Sequence, residues 1–175
     1  MATPVSFLVW TDNTPGVLLR LTTLFTRRKI NVESLTVSET EVPGISRFTV
    51  TSTIELVTAA TIGRQIERMI EVRRVSVFTE GEVLHREVAL LRVPLAATDE
   101  AEILQRYRSA AIVQRGPRGT LLQCTGTEAE ISSLIADLTP FGITEFVRSG
   151  RIAVTPGGEY DTDLSRSLHD LRRCA

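Results

Sequence analysis

The chain has 175 residues, 42% hydrophobic and 23% charged, an ordinary globular composition with length for one domain or two small ones. Lys plus Arg number 20 and Asp plus Glu 21, so the net charge of −1 excludes a mainly electrostatic nucleic-acid binder. No apolar run approaches the ~20 residues of a membrane span, and the N-terminus reads as neither signal nor transit peptide, so a cytoplasmic chain without membrane contact is expected.

Residues 6–11 read as a strand, with Phe7, Leu8, Val9 and Trp10 apolar on both faces. Pro15-Gly16 breaks it. Val17, Leu18, Leu21, Leu24 and Phe25 then recur at helical spacing, and Arg27-Arg28-Lys29 gives that helix a positive end matched to its dipole. Residues 31–38 form the next strand and Pro43-Gly44 the next turn. Residues 45–54 alternate most clearly, Phe48, Val50 and Ile54 against Arg47, Thr49, Thr51 and Thr53. A second helix places Ile62, Ile66, Met69 and Ile70 inward, and residues 72–79 give a fourth strand.

The order βαββαβ then recurs. Residues 87–94 form a strand, and Thr98 or Asp99 caps a helix carrying Ile103, Leu104 and Tyr107. Strands 110–115 and 120–125 flank a turn at Gly116-Pro117-Arg118-Gly119. Thr127 and Glu130 make a capping box for a helix with Ile131, Leu134, Ile135 and Leu138 inward. Pro140 and Gly142 end it, and residues 143–147 close the sheet. The fold class is therefore α+β, two tandem ferredoxin-like βαββαβ domains. The expected boundaries are a first domain over 1–80, a linker over 81–86, a second domain over 87–155, and a tail over 156–175. In that tail Leu164, Leu168 and Leu171 fit a short helix as well as disorder. Helices cover one face of each sheet. The other face of the first sheet, apolar at Trp10 or Phe7, calls for cover by another sheet or a second copy of the chain.

The chemistry on offer is that of binding. Cys124 and Cys174 form no CxxC pair, the only histidines are His85 and His169, and no zinc-type spacing exists, so reduced thiols are expected and no metal. No P-loop or dinucleotide fingerprint is present. Gly116–Gly119 has the spacing of an RNA-clamping GxxG, but it joins two strands, which makes it a β-turn. The turn Asp12-Asn13-Thr14-Pro15-Gly16 is different. Gly16 permits close backbone approach, and the first amides of the following helix lack intrahelical acceptors. A carboxylate there gains hydrogen bonds and a favourable dipole. Asn13 and Asn31 offer amides to the rest of a small zwitterion. Asn13 also fits a plain turn residue.

Four segments together resemble the small regulatory subunit of acetolactate synthase (acetohydroxyacid synthase), whose N-terminal half is an ACT domain. They are residues 12–18 with Arg20, Asn31-Val32-Glu33-Ser34-Leu35, Ser46-Arg47-Phe48-Thr49-Val50, and residues 86–93. Residues 148–153 resemble the family's closing motif, and the likeness spans about 5–155. In place of the family's usual glycine and aromatic before the asparagine, this chain has Lys29 and Ile30.

The resemblance implies a non-catalytic chain that binds and activates a catalytic (large) subunit and confers feedback by valine or another branched-chain amino acid. It implies a homodimer through the ACT domain with the effector at the interface. Asn13, Gly16 and Asn31 match the effector positions, with Val17, Leu18 and Ile30 as neighbours. No cofactor is implied on this chain; thiamine diphosphate, Mg²⁺ and FAD belong to the catalytic partner. A free-standing ACT-type sensor of another enzyme is the alternative. An acylphosphatase-like hydrolase is disfavoured, because its phosphate loop needs an arginine and this turn has Asp12 and none before Arg20.

Overall fold

The computed structural model describes residues 1–155; the expected tail, with Leu164, Leu168, Leu171 and Cys174, lies outside the described residues. The chain divides into two compact units, one of Met1–Leu84 with the segment from Arg151, the other of His85–Gly150.

The first unit runs β1 (Thr3–Asp12), α1 (Val17–Arg27), β2 (Ser34–Glu39), β3 (Ile45–Ile54), α2 (Leu56–Glu67) and β4 (Val72–Thr79). Its antiparallel sheet has the order β2-β3-β1-β4. Alternate residues of β1 and β3, namely Val5, Phe7, Val9, Phe48, Val50 and Ile54, meet Val17, Leu21 and Phe25 of α1 and Ala59, Ile62 and Ile66 of α2. The spacing i, i+4, i+8 along α1 explains the narrow stripe, and Phe25 meets Phe7 edge-on at 5.4 Å. Leu18, expected on the stripe, lies about 100° around the helix from Val17 and is 43% exposed. Helix α2 stops at Glu67, so Ile70, expected inward, is 94% exposed and only Met69 reaches the core.

The end of α1 is a Schellman motif. Lys29 N–H donates to the Thr26 carbonyl and Ile30 N–H to the Phe25 carbonyl. Lys29 holds the left-handed position with φ 55°, the sole non-glycine residue with positive φ among the described residues. A glycine would adopt it without strain.

The opposite face of this sheet carries a second apolar cluster of Leu8, Trp10 and Ile45 with Val83 and Ala153. Part of the expected cover comes from the chain itself: its returning segment lies there. Phe7 belongs instead to the helix-side core. The hydroxyl row on this face captures the return, Arg151 N–H donating to Ser34 Oγ at 2.8 Å and Thr36 Oγ1 donating to the Arg151 carbonyl at 2.9 Å. Arg47 donates to the Ala153 carbonyl. Trp10, 4% exposed, is flanked by the guanidinium carbons of Arg47 at 4.9 Å and Arg74 at 5.4 Å from its ring centroid. The expected second domain runs to residue 155; the compact unit there is His85–Gly150, and strand β9 (Ile152–Val154) follows.

The second unit repeats the topology with β5 (Leu84–Val93), α3 (Ala97–Arg106), β6 (Ala110–Gly116), β7 (Gly119–Gly126), α4 (Glu128–Leu138) and β8 (Glu145–Arg148), in the order β6-β7-β5-β8. Its core joins Ala89, Leu91, Val93, Leu122 and the free thiol of Cys124 to Ile103, Ile131, Leu134 and Leu138. The capping box forms as expected, with Thr127 N–H on Glu130 Oε2 at 2.7 Å and Glu130 N–H on Thr127 Oγ1 at 3.3 Å. Gly116 pairs with Gly119 across a tight turn. Helix α3 begins earlier than expected: its N-cap is Ala96, not Thr98 or Asp99, and no side chain caps it. Asp99 and Glu100 occupy its first turn instead.

Candidate functional site

The loop from β1 into α1 is tied down on three sides. Asp12 N–H donates to the Glu71 carbonyl and Asn13 N–H to the Gly44 carbonyl, both at 2.8 Å. The Asp12 carboxylate takes a bidentate pair from Arg73, Nε at 2.8 Å and Nη2 at 3.0 Å. Hydrogen bonding to Asp12, and then its charge, raises the Arg73 pKa. Gly16 is the N-cap, left-handed at φ 87°. A side chain there would be strained by the backbone angle, and its Cβ would stand 3.0 Å from Arg20 Nη1. Arg20 leans over this glycine while its Nη2 pairs with Glu71.

No side chain caps α1 and its first turn holds no acidic residue. The first helical bond is Arg20 N–H to the Gly16 carbonyl at 3.0 Å. The amides of Val17, Leu18 and Leu19 lie ahead of it, so the helix start presents donors and positive dipole beside the Arg20–Glu71 pair. Beside this pole the exposed Asn13 donates from Nδ2 to Glu39 Oε1 at 2.8 Å.

The other expected site residues divide. Val17 is buried at 3% exposure and offers the site only its backbone, whereas Leu18 stays exposed. Ile30 packs partly against the core at the far end of α1. Asn31 is exposed and precedes the strand, which starts at Ser34 and not at 31 as expected. Register places it away from Asn13: Asp12 lies opposite Ile45 and Glu39 opposite Ser46, but Ser34 lies opposite Thr51, toward the other end of β3. One copy of the unit therefore sets its two asparagines apart by the length of α1, 11 residues or roughly 16 Å.

The sequence reading missed Glu39, Gly44 and Arg73. Each reaches the loop through strand register, with Glu39 lying 26 positions along the chain from Asn13. No local motif signals that contact.

Two family models divide the chain between them. One, described as the AHAS small subunit-like ACT domain, matches residues 7–74; the other, described as the small subunit of acetolactate synthase, matches 86–157. The acetolactate synthase small subunit of Mycolicibacterium smegmatis is 32% identical over 151 residues, 85% of this chain and 89% of that one. That of Bacillus subtilis is 33% identical over 160 residues, 89% of this chain and 92% of its own. This chain belongs to the acetolactate synthase small-subunit family. The crystal structure of the acetolactate synthase small subunit from Thermotoga maritima matches with a TM-score of 0.80 and 25% identity, covering 87% of this chain and 97% of that one.

The family is named for the small subunit, so this chain is a regulatory and not a catalytic subunit, and the chemistry of the synthase belongs to its catalytic partner. Its ACT domain has the regulatory role. Among the described residues no helix is long and apolar enough to cross a membrane.

Proposed function

We propose that this chain is the amino-acid-sensing subunit of a cytoplasmic acetolactate synthase, raising the activity of the catalytic subunit and conveying feedback inhibition by valine or another branched-chain amino acid. Thiamine diphosphate, Mg²⁺ and FAD sit on the catalytic subunit in this reading. The observation that carries it is the uncapped start of α1 behind the left-handed Gly16, with Asn13 beside it. Such a helix end receives an α-carboxylate through several amides at once.

A second copy completes the site. Strand β2 is the edge of its sheet, and Val37 on it and Leu18 on α1 are exposed at 48% and 43%. Antiparallel pairing of two β2 edges about a two-fold axis lays the Asn31 end of one copy beside the Asn13 end of the other. The effector's side chain then lies between Leu18 and Ile30, with the Val17 backbone at the carboxylate. Regulation follows if the effector binds one state of the assembly more tightly than the other. A methylene more or less on that side chain changes affinity by only ~1–3 kcal/mol, so selectivity among branched-chain amino acids is modest.

In the test, valine, leucine and isoleucine are added to the full chain and the melting temperature followed. A rise is expected, lost in Asn13→Ala and in Asn31→Ala. The chain is then co-purified with the catalytic subunit and acetolactate formation assayed with and without it. Unchanged synthase activity and valine response in that assay would remove the regulatory reading.

A further inference from the structure

Three acidic residues belong to or bond with the loop that opens at Asp12, and arginines match two of them: Arg73 on Asp12 and Arg20 on Glu71. The third, Glu39 at the end of edge strand β2, is exposed and has no cationic partner among the described residues. Its Oε1 accepts the Asn13 side-chain amide at 2.8 Å. With Nδ2 so engaged, the open atom of Asn13 on this side is the acceptor Oδ1. Asn13 and Glu39 thus form an acceptor pole with a full negative charge. A ligand carboxylate is repelled there, and an ammonium, which carries donors only, is held. The amides of Val17 to Leu19 make the opposite pole.

We propose that Glu39 is a binding residue of the effector site that accepts the α-ammonium of the bound amino acid beside Asn13 Oδ1. The proposal rests on the effector reading above and adds its ligand class: the site takes a zwitterion and rejects the 2-oxo acid of the same carbon skeleton. That acid offers the same carboxylate and side chain but brings a carbonyl acceptor against Glu39. The discrimination therefore separates an amino acid from its deaminated counterpart.

Calorimetry on the full chain with L-valine, and separately with 3-methyl-2-oxobutanoate, tests it. The wild type binds valine and shows no measurable heat with the 2-oxo acid. Glu39→Gln keeps an acceptor for Asn13 and the shape of the side chain but removes the charge. It weakens valine binding about tenfold or more, the scale of one charge-assisted hydrogen bond. Lowering the ionic strength widens the gap, because the pair is exposed and screened. A residue that merely oriented Asn13 would leave affinity intact in Glu39→Gln, and equal affinity overturns the proposal. So does a wild type that binds the 2-oxo acid as tightly as valine. A wild type that binds none of valine, leucine or isoleucine overturns the effector reading itself, and this proposal falls with it.

Discussion

The two units share a strand order and leave their first helix without a side-chain cap, but differ in the charge of its first turn. In the first unit α1 opens behind a glycine with no side-chain cap and no acidic residue in its first turn. In the second, α3 opens with Asp99 and Glu100 in that turn. The Glu100 carboxylate is buried and bonded to Thr120 and Arg115. Its hydrogen bond from Thr120, and then that from Arg115, hold it below the usual carboxylate range. The second unit therefore carries acidic residues in its first helical turn where the first carries none. The turns differ too. A Cβ on Gly119 would lie 2.6 Å from the Val93 carbonyl oxygen, so the β6–β7 turn closes directly on the loop before α3. In the first unit, Gly44 has nothing within 4 Å of such an atom. The same scaffold thus carries two helix starts that differ in local charge.

The largest effect separates the units by their cores. Leu21→Ala and Leu134→Ala each remove a fully buried side chain from one core only. Each is expected to cost about 2–5 kcal/mol, with hydrogen exchange rising mainly in the unit that carries the change. Uniform exchange across both units would show that they unfold as one.

Next comes the glycine that keeps the first helix open. Gly16→Ala places a side chain at φ 87° and should cost about 1–2 kcal/mol. The valine-dependent rise in melting temperature should vanish with it. A variant that keeps the full response would mean that the helix start is not the carboxylate site.

A gain of similar kind is expected from Lys29→Gly. It relieves the left-handed strain at the end of α1 and should stabilise the chain by up to about 1 kcal/mol in urea unfolding. Loss of stability would mean that the Lys29 side chain contributes more than its backbone strain removes.

The smallest effect is in acid. Glu100 has its folded pKa lowered by Thr120 and Arg115, and Glu130 by the Thr127 backbone amide and then its hydroxyl. A lowered folded pKa stabilises above the unfolded value and is lost as pH falls through the folded one. The urea midpoint should therefore fall below the usual carboxylate range, with early exchange in the second unit. The double change Glu100→Gln with Glu130→Gln should flatten that dependence, and an unchanged slope would assign acid sensitivity elsewhere.

Much of this was legible along the chain. Apolar periodicity and turn residues located every strand and helix of the tandem repeat. Thr127 with Glu130 marked a cap because both partners lie within one turn. Gly16 was legible as a turn residue because its left-handed backbone angle gives glycine a local reason to stand there. The bounds of α3 were misread because Asp99 and Glu100, good capping types, serve the interior of the first turn instead. Ile70 was misread because apolar spacing continues past the point where α2 stops.

The sequence by itself determined the α+β repeat, the regulatory family and the position of the open helix end, since each depends on neighbours a few residues apart. Tertiary structure decided the rest. Sheet register carried Asn13 to Glu39 and set Asn31 at the other end of α1, so that one copy keeps the two asparagines apart. The hydroxyls of Ser34 and Thr36 drew Arg151 back to the first unit across more than a hundred residues of chain, 115 in the case of Thr36. Those contacts depend on strand pairing, which local spacing cannot encode.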